Sequence, residues 1–277
     1  MKEIDVLLIG AINYDYYVQM KDSSVETTTL SHEPPKRKIG GGSLITAIAL
    51  AALGMRSAVA GNVGWDGKII IDKLERSQVK NLLKQYPDFE TASTIALHYP
   101  DGKKQYIPNT ELNKLYTPDD LKETYSHLQQ SILLMRTGYP WMPQIAGQPT
   151  AELFDYARQH DIITALDMSN PSAWERKMLE ELVSDVMPYI DLLCANEKEL
   201  YQLARKQNEP QIDNSELEHF MTPERSAEYA HRLLERGVQI VNLHYGQRGT
   251  MIITNNDYVH EEPQTVDKIT NPTGSGN

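Results

Sequence analysis

Short apolar runs alternate with amphipathic stretches along most of the chain. An apolar run of about four to eight residues, followed by a glycine or a polar residue, is typical of a strand buried on both faces. Runs of this kind predict strands at residues 6–9, 57–63, 132–135, 162–166, 191–194 and 239–243. Because such strands need cover on both sides, we expect helices between them.

Helical patterns fill the intervals between these strands. They predict helices at residues 43–53, 150–160, 172–183 and 197–205, and two further helices that begin at Thr117 and Thr222. Ser43 can cap the first helix, and a proline follows each of the two threonines at the first helical position. The alternation therefore predicts a doubly wound α/β fold, with a mostly parallel sheet and helices on both faces.

Two segments do not follow this alternation. Residues 14–38 are polar and rich in tyrosine, and residues 92–109 read as a hairpin with its turn at residues 99–102. Both segments predict strands of a small sheet outside the main sheet. Residues 207–221 read as a polar loop.

Composition and charge narrow the class of protein. The 277 residues carry a formal net charge of −11, which argues against a general nucleic-acid binder because such a protein needs a basic face. A phosphate-binding enzyme stays compatible with this charge, since a local site and a metal ion can supply positive charge. No stretch approaches the ~20 apolar residues of a membrane span, so we expect a cytoplasmic protein. The single cysteine, Cys194, lies in an apolar run and predicts a buried thiol.

Short motifs rich in glycine or polar residues occur where predicted strands and helices meet. They read GAINYD at 10–15, GG at 40–41, GNVGWDG at 61–67, DMSN at 167–170, NEKE at 196–199, YGQRG at 245–249 and NPTGSGN at 271–277. In this order, and over the whole chain, they resemble the ribokinase-like (PfkB) carbohydrate kinases. The resemblance implies one doubly wound domain over residues 1–277 and a small β lid made of residues 14–38 and 92–109. It places a sugar between the two, at the carboxyl ends of the strands.

The resemblance also implies an activity, the ATP-dependent phosphorylation of a sugar or sugar derivative on a hydroxymethyl group. Gly274, Ser275 and Gly276 match the turn whose backbone amides face the phosphates. The family's general base, an aspartate, corresponds here to Asn277, whose amide cannot accept a proton at neutral pH. We therefore expect very low transfer by this kinase-like chain. We also expect the chain to be truncated at its C-terminus, since a helix should follow this turn.

Other matched positions concern the nucleotide and its metal ion. Asn196 and Glu199 match the family's N-x-x-E motif, in which the glutamate holds Mg²⁺ through water. A single carboxylate suffices because Mg²⁺ keeps several of its waters. Gly246 and Gly249 match the turn beside the nucleotide. The implied cofactors are ATP and Mg²⁺.

The substrate positions match the family less completely. Asp15 corresponds to the family's hydroxyl-binding aspartate, with Asn13 in the same motif, and Gly40 and Gly41 to the pair that lets the sugar approach the backbone. Ile45 stands where the family usually has a sugar-binding asparagine, and it offers no hydrogen bond. This departure affects substrate recognition directly.

Three alternatives stay open. A ribokinase-like protein that binds its ligand but transfers nothing is favoured by Asn277 and Ile45. A nucleoside kinase is a close variant, since the family includes such enzymes. A dinucleotide-binding oxidoreductase is disfavoured, because the GGG at 40–42 lacks the G-x-G-x-x-G order. The expected partner is a small sugar or nucleoside, with neither nucleic acid nor membrane, and a homodimer is a further expectation.

Overall fold

A computed structural model of the protein describes residues 2–22, 31–169, 176–206 and 208–263. The described strands form two sheets, one of nine strands and one of four. The strands are β1 (Ile4–Gly10), β2 (Asn13–Gln19), β3 (Lys36–Gly40), β4 (Ser57–Gly64), β5 (Lys80–Tyr86), β6 (Ser93–His98), β7 (Lys104–Asn109), β8 (Ser131–Thr137), β9 (Ile163–Asp167), β10 (Leu192–Asn196), β11 (Ile240–His244), β12 (Thr250–Ile253) and β13 (Tyr258–Glu261).

The large sheet, here called the main sheet, runs in the order β13-β12-β11-β10-β9-β8-β1-β4-β5. All of its neighbours pair in parallel except β11 with β12 and β12 with β13, which are antiparallel. β1 lies between β4 and β8. The order of the strands therefore reverses at β1, with β4 and β5 on one side and β8 to β13 on the other. The carboxyl ends of β1, β8, β9 and β10 therefore meet along one edge, where open α/β sheets bind ligands.

Helices cover both faces of the main sheet. They are α1 (Gly42–Ala52), α2 (Lys68–Arg76), α3 (Pro118–Glu123), α4 (Tyr125–Leu128), α5 (Gln148–Gln159), α6 (Arg176–Glu181), α7 (Glu197–Ala204), α8 (Asn214–Phe220) and α9 (Pro223–Leu234). Leu7 and Leu8 of β1 are both fully buried but belong to different core clusters. Leu8 packs with Leu44 of α1, and Leu7 is in the cluster that includes Phe154 of α5. The predicted doubly wound α/β fold is confirmed.

The four-stranded sheet, here called the small sheet, runs in the order β3-β2-β6-β7. β2 pairs with β6 in parallel, and Asp15 lies opposite Thr94. The hairpin of β6 and β7 turns where predicted, with the Gly102 amide donating to the Tyr99 carbonyl at 3.0 Å and a Gly102 φ of 84°. The prediction that these two segments form a separate small sheet is therefore confirmed for their described residues.

Several local predictions differ from the structure. α1 begins after Gly41 instead of Ser43, because the Ser43 side chain is buried and donates to the Ala11 carbonyl at 3.3 Å. The predicted loop at 207–221 contains the helix α8. α2 and β5 were not predicted from the sequence. β5 is an edge strand whose residues are all exposed or half-buried, so it lacks the apolar pattern of the other strands.

A cationic side chain lies inside the core at the end of β8. Arg136 is fully buried, and its Nη1 donates to the Thr137 carbonyl at 2.8 Å. Its guanidinium lies 5.6 Å from the centre of the Tyr139 ring. Burial lowers the pKa of Arg136 to about 10, because a charge without an acidic partner is costly in a dry environment.

Candidate functional site

The predicted substrate residues meet where β2, β3 and the start of α1 come together. Asn13 pairs with Gly40 across β2 and β3. A β-carbon at Gly40 would collide with Asp15 Oδ2 and lie 2.7 Å from Asn13 Nδ2. Glycine at this position therefore leaves room for both polar side chains. The structure brings Asn13, Asp15 and Gly40 together, as the sequence predicts.

Gly41 makes the sharp turn from β3 into α1. Its φ of 97° lies in the left-handed region that favours glycine. A β-carbon at Gly41 would also collide with the Ala11 carbonyl oxygen. At Gly41 the helix begins without a side-chain cap, and its first turn contains no acidic residue.

Asp15 is half-buried and keeps hydrogen-bonding capacity. Asn13 Nδ2 donates to Asp15 Oδ1 at 2.6 Å. Burial raises the pKa of the Asp15 carboxyl, although hydrogen bonds with Asn13 and Tyr17 oppose the rise. The second oxygen, Oδ2, lies beside Gly40. A carboxylate oxygen in such a position can accept a hydrogen bond from a ligand hydroxyl.

Ile45 contributes apolar surface to the same end of α1. Its amide donates to the Gly41 carbonyl at 3.1 Å, so it lies one turn into the helix. The side chain is half-buried. Any contact that its side chain makes with a ligand would be apolar.

A cavity of about 590 Å³ lies between the small sheet and the main sheet. Its walls come from three strands of the small sheet, from the segment after β7 and from the segment after β8. The lining residues are Ala11, Asn13, Ala92, Ser93, Thr94, Tyr106, Pro108, Asn109, Thr110, Asn113 and Trp141. Asn13 is thus shared by the cavity and the cluster with Asp15.

Asn113 fixes the backbone at the floor of this cavity. Its Oδ1 accepts from the Ile12 amide at 3.3 Å, and its Nδ2 donates to the Ile12 carbonyl at 3.2 Å. The side chain is 1% exposed. No motif in the sequence identified Asn113, because its partner is distant along the chain.

Two carboxyl groups are buried at the ends of β9 and β10. Asp167 is 7% exposed and Glu199, in the first turn of α7, is 5% exposed. Burial raises the pKa of Asp167 to about 6, opposed by a hydrogen bond from the Ser169 amide. Burial raises the pKa of Glu199 to about 8, and the charge of Asp167 contributes to the rise. Asp167 lies within the DMSN motif, but the sequence pattern assigned it no role.

Asn196 and Glu199 hold each other in a capping box at the start of α7. The Asn196 amide donates to Glu199 Oε2 at 2.8 Å, and the Glu199 amide donates to Asn196 Oδ1 at 2.9 Å. The motif is therefore a helix cap in its own right. The cap uses Oε2 of the Glu199 carboxyl, so Oε1 is the oxygen that would take a water or a metal-bound water.

The second predicted nucleotide motif lies beside the first. Gly246 and Gly249 bound a short turn between β11 and β12, with φ values of 56° and 92°. A β-carbon at Gly249 would collide with the Glu261 carbonyl, whereas one at Gly246 would meet open space. Arg248 of this turn forms an ion pair with Glu197 of α7. The structure therefore brings the two motifs together, through a contact that the sequence did not reveal.

The remaining predicted site residues, Gly274, Ser275, Gly276 and Asn277, lie outside the described residues. Within the described ranges, no three His, Cys, Asp or Glu side chains are grouped so that they could hold a metal ion. Every helix in that part of the chain is too short or too polar to span a lipid bilayer.

Comparison with known proteins identifies one family. The model of the pfkB family of carbohydrate kinases matches residues 3–276. The search of curated proteins found no match. Among solved structures, the chain is similar to a ribokinase from Arabidopsis thaliana complexed with ribose and ATP, at 19% identity and a TM-score of 0.76, covering 99% of this chain and 82% of that one.

Two further structures share this fold. An adenosine kinase from Sinorhizobium meliloti is 20% identical with a TM-score of 0.76, and the match covers 99% of this chain and 84% of that one. A ribokinase from Thermotoga maritima is 18% identical with a TM-score of 0.73, and the match covers 99% of this chain and 82% of that one.

Proposed function

Because the chain belongs to the pfkB family of carbohydrate kinases, we propose that it transfers the terminal phosphoryl group of ATP to a hydroxymethyl group of a sugar or sugar derivative. One observation carries this proposal. A polar cluster that suits a polyol, at Asn13, Asp15 and Gly40, begins just after the carboxyl end of β1, and a buried acid that suits a hydrated metal ion, Glu199, lies just after the carboxyl end of β10 in the same main sheet.

The acceptor would bind in the cavity between the two sheets. Asp15 would accept hydrogen bonds from its hydroxyl groups, and Asn13 would orient Asp15. Gly40 and Gly41 would let it approach the backbone. In this proposal the small sheet acts as a lid over the acceptor, and residues 1–277 form one functional unit.

The donor, ATP, would bind beside the turn after β11 and the start of α7. The open space at Gly246 suits the approach of a nucleotide to the backbone. Glu199 would hold Mg²⁺ through water by its Oε1, which fits the preference of this ion for oxygen ligands and few protein contacts. The bound ion would neutralise phosphate charge. Gly274, Ser275 and Gly276 would supply backbone amides to the phosphates.

Two related functions are supported by particular observations. The cavity of about 590 Å³ with Trp141 in its wall is roomy for a monosaccharide and favours a nucleoside as acceptor. Asn277 and Ile45 favour a protein that binds its ligand but transfers nothing. The cytoplasmic location and the homodimer stay predictions.

Binding and turnover together test the proposal. The full chain is mixed with Mg²⁺ and ATP and titrated calorimetrically with pentoses, hexoses and nucleosides, and ADP release is followed for each. Asp15→Ala should weaken binding of an identified acceptor by about 1.5–3 kcal/mol, since it removes a charged hydrogen bond. Asp101→Ala, in the turn of the same small sheet, is the matched control. Failure of every compound to bind would contradict the proposed function.

A further inference from the structure

The end of β9 places a carboxyl group beside the first residue of α1. A β-carbon at Gly42 would lie 3.6 Å from Asp167 Oδ2 and 3.1 Å from Thr137 Oγ1, at the end of β8. The carboxylate of Asp167 and the hydroxyl of Thr137 therefore flank the same small space. The motif resemblance assigns neither residue a role in the reaction.

The Thr137 hydroxyl is an independent sign that this space receives a polar ligand. Thr137 is fully buried, and among the described residues its Oγ1 has no hydrogen-bond partner. A buried hydroxyl without a partner costs about 1–3 kcal/mol. A ligand oxygen in the space beside Gly42 would provide the missing hydrogen bond.

The residues around this space are neighbours of the proposed acceptor site. Ala11 lines the cavity, and its carbonyl oxygen is the atom that a side chain at Gly41 would strike. Gly42 is the next residue, and it faces Thr137 and Asp167. Asp15 lies beside Gly40 and Asp167 beside Gly42, so the proposed acceptor site and the Asp167 carboxylate are joined by three consecutive residues of the chain, Gly40 to Gly42.

We propose that Asp167 is the general base of this chain, taking the place of the aspartate that Asn277 replaces. This proposal rests on the proposed kinase function. The acceptor O–H bond breaks and its proton moves to Asp167 Oδ2. The acceptor oxygen forms a bond to the terminal phosphorus of ATP, and the bond from that phosphorus to the bridging oxygen breaks, releasing ADP. The Thr137 hydroxyl positions the acceptor oxygen.

The surroundings of Asp167 suit this role. Among the described residues, the titratable groups that face it are Cys194 of β10 and Glu199 of α7. Burial raises the pKa of the Asp167 carboxyl, which makes it a stronger base than an exposed aspartate.

Asp167→Asn tests the role of the carboxylate without changing its shape, and the Asn Oδ1 can still accept from the Ser169 amide. We expect kcat to fall by about 10²–10⁴-fold. We expect the dissociation constants of Mg²⁺-ATP and of the acceptor to change by less than about threefold. Asp167→Glu should recover part of kcat.

Asp191→Asn is the matched control. Asp191 precedes β10, and its Oδ2 accepts from the Thr164 amide of β9 at 2.9 Å, so it joins the same two strands at their opposite ends. This variant should keep the kcat of the unmodified chain. Asn277→Asp is a second test, and it should raise kcat by less than about tenfold if a base is already present.

Each other outcome overturns the proposal. An Asp167→Asn chain that keeps its kcat would show that another group takes the proton, while the kinase function would stand. Loss of Mg²⁺-ATP affinity instead of kcat would make Asp167 an ion-binding residue. A gain of about 10²-fold or more from Asn277→Asp would show that the unmodified chain lacks a base. If the unmodified chain bound Mg²⁺-ATP and the acceptor but transferred no phosphoryl group, it would also lack a base. If it bound neither ligand, the proposed kinase function itself would be refuted.

Discussion

Replacing Glu199 with glutamine should make the stability of the protein less dependent on pH. Burial raises the pKa of Glu199 from 4.5 to about 8, so the folded protein holds this proton where the unfolded chain has lost it. The folded state binds more protons between these two values. The protonated Glu199 carboxyl therefore contributes its full stability below the unfolded pKa, and this contribution is lost as the pH rises towards the folded pKa.

The magnitude follows from the size of the shift. A rise from 4.5 to about 8 corresponds to about 5 kcal/mol between the neutral and the charged form. Glutamine is neutral at every pH, and its Oε1 can still accept from the Asn196 amide, so the capping box is kept. We expect the variant to be more stable than the unmodified chain at pH 8 by about 3–5 kcal/mol, and nearly equal to it at pH 4.5.

Urea unfolding at several values between about pH 4.5 and pH 8 measures this difference. Asp120→Asn is a control with the opposite sign. Burial would raise the pKa of Asp120, but hydrogen bonds from Lys84 and Thr117 outweigh it and lower the pKa. This variant should lose stability above the unfolded pKa. If the free energy of unfolding changed with pH in the same way for the Glu199→Gln and unmodified chains, the reasoning would be refuted. That result would mean that Glu199 is charged in the folded protein.

Three further outcomes are expected from the structure. Gly41→Ala should cost about 2–4 kcal/mol in urea unfolding, because alanine meets both a left-handed φ and the Ala11 carbonyl, whereas Gly54→Ala, with a φ of 87° and open space, should cost about 1 kcal/mol. Burial raises the pKa of Cys194 to about 12, so Ellman's reagent at pH 8 should label it only after unfolding. Arg136→Met should raise the free energy of unfolding by about 1–3 kcal/mol, since it removes a buried charge, and a loss of stability would contradict this account.

The sequence predicts those elements whose signals are local. Thr117 and Thr222 cap their helices as expected, since each side chain accepts a hydrogen bond from a backbone amide three residues later. Strand β1 is recognised because it is apolar on both faces. The hairpin of β6 and β7 is recognised from its turn residues. Because these features depend only on residues that are close along the chain, a single sequence is enough to predict them.

Features that depend on distant contacts were missed. Strand β5 is polar because it lies at the edge of the sheet, and its position there is set by β4. Asp167 becomes a candidate base only because it is buried beside Gly42 of α1 and Thr137 of β8, which are distant in sequence. Asn113 is similar, since its partner is the distant Ile12. In the candidate site, the sequence predicted the residues matched by motifs, and the structure added those brought together by the fold.

The parallel pairing of β2 with β6 has a consequence for folding. These strands are neighbours in the small sheet, although α1, β4, α2 and β5 lie between them along the chain. The pair can therefore close only after the intervening segment has compacted, because a long open loop between two strands is entropically unfavourable. The small sheet should form late in folding, and its backbone amides should exchange with solvent sooner than those of β1 and β8. The part of the protein that borders the cavity is in this way the part that can open without unfolding the rest.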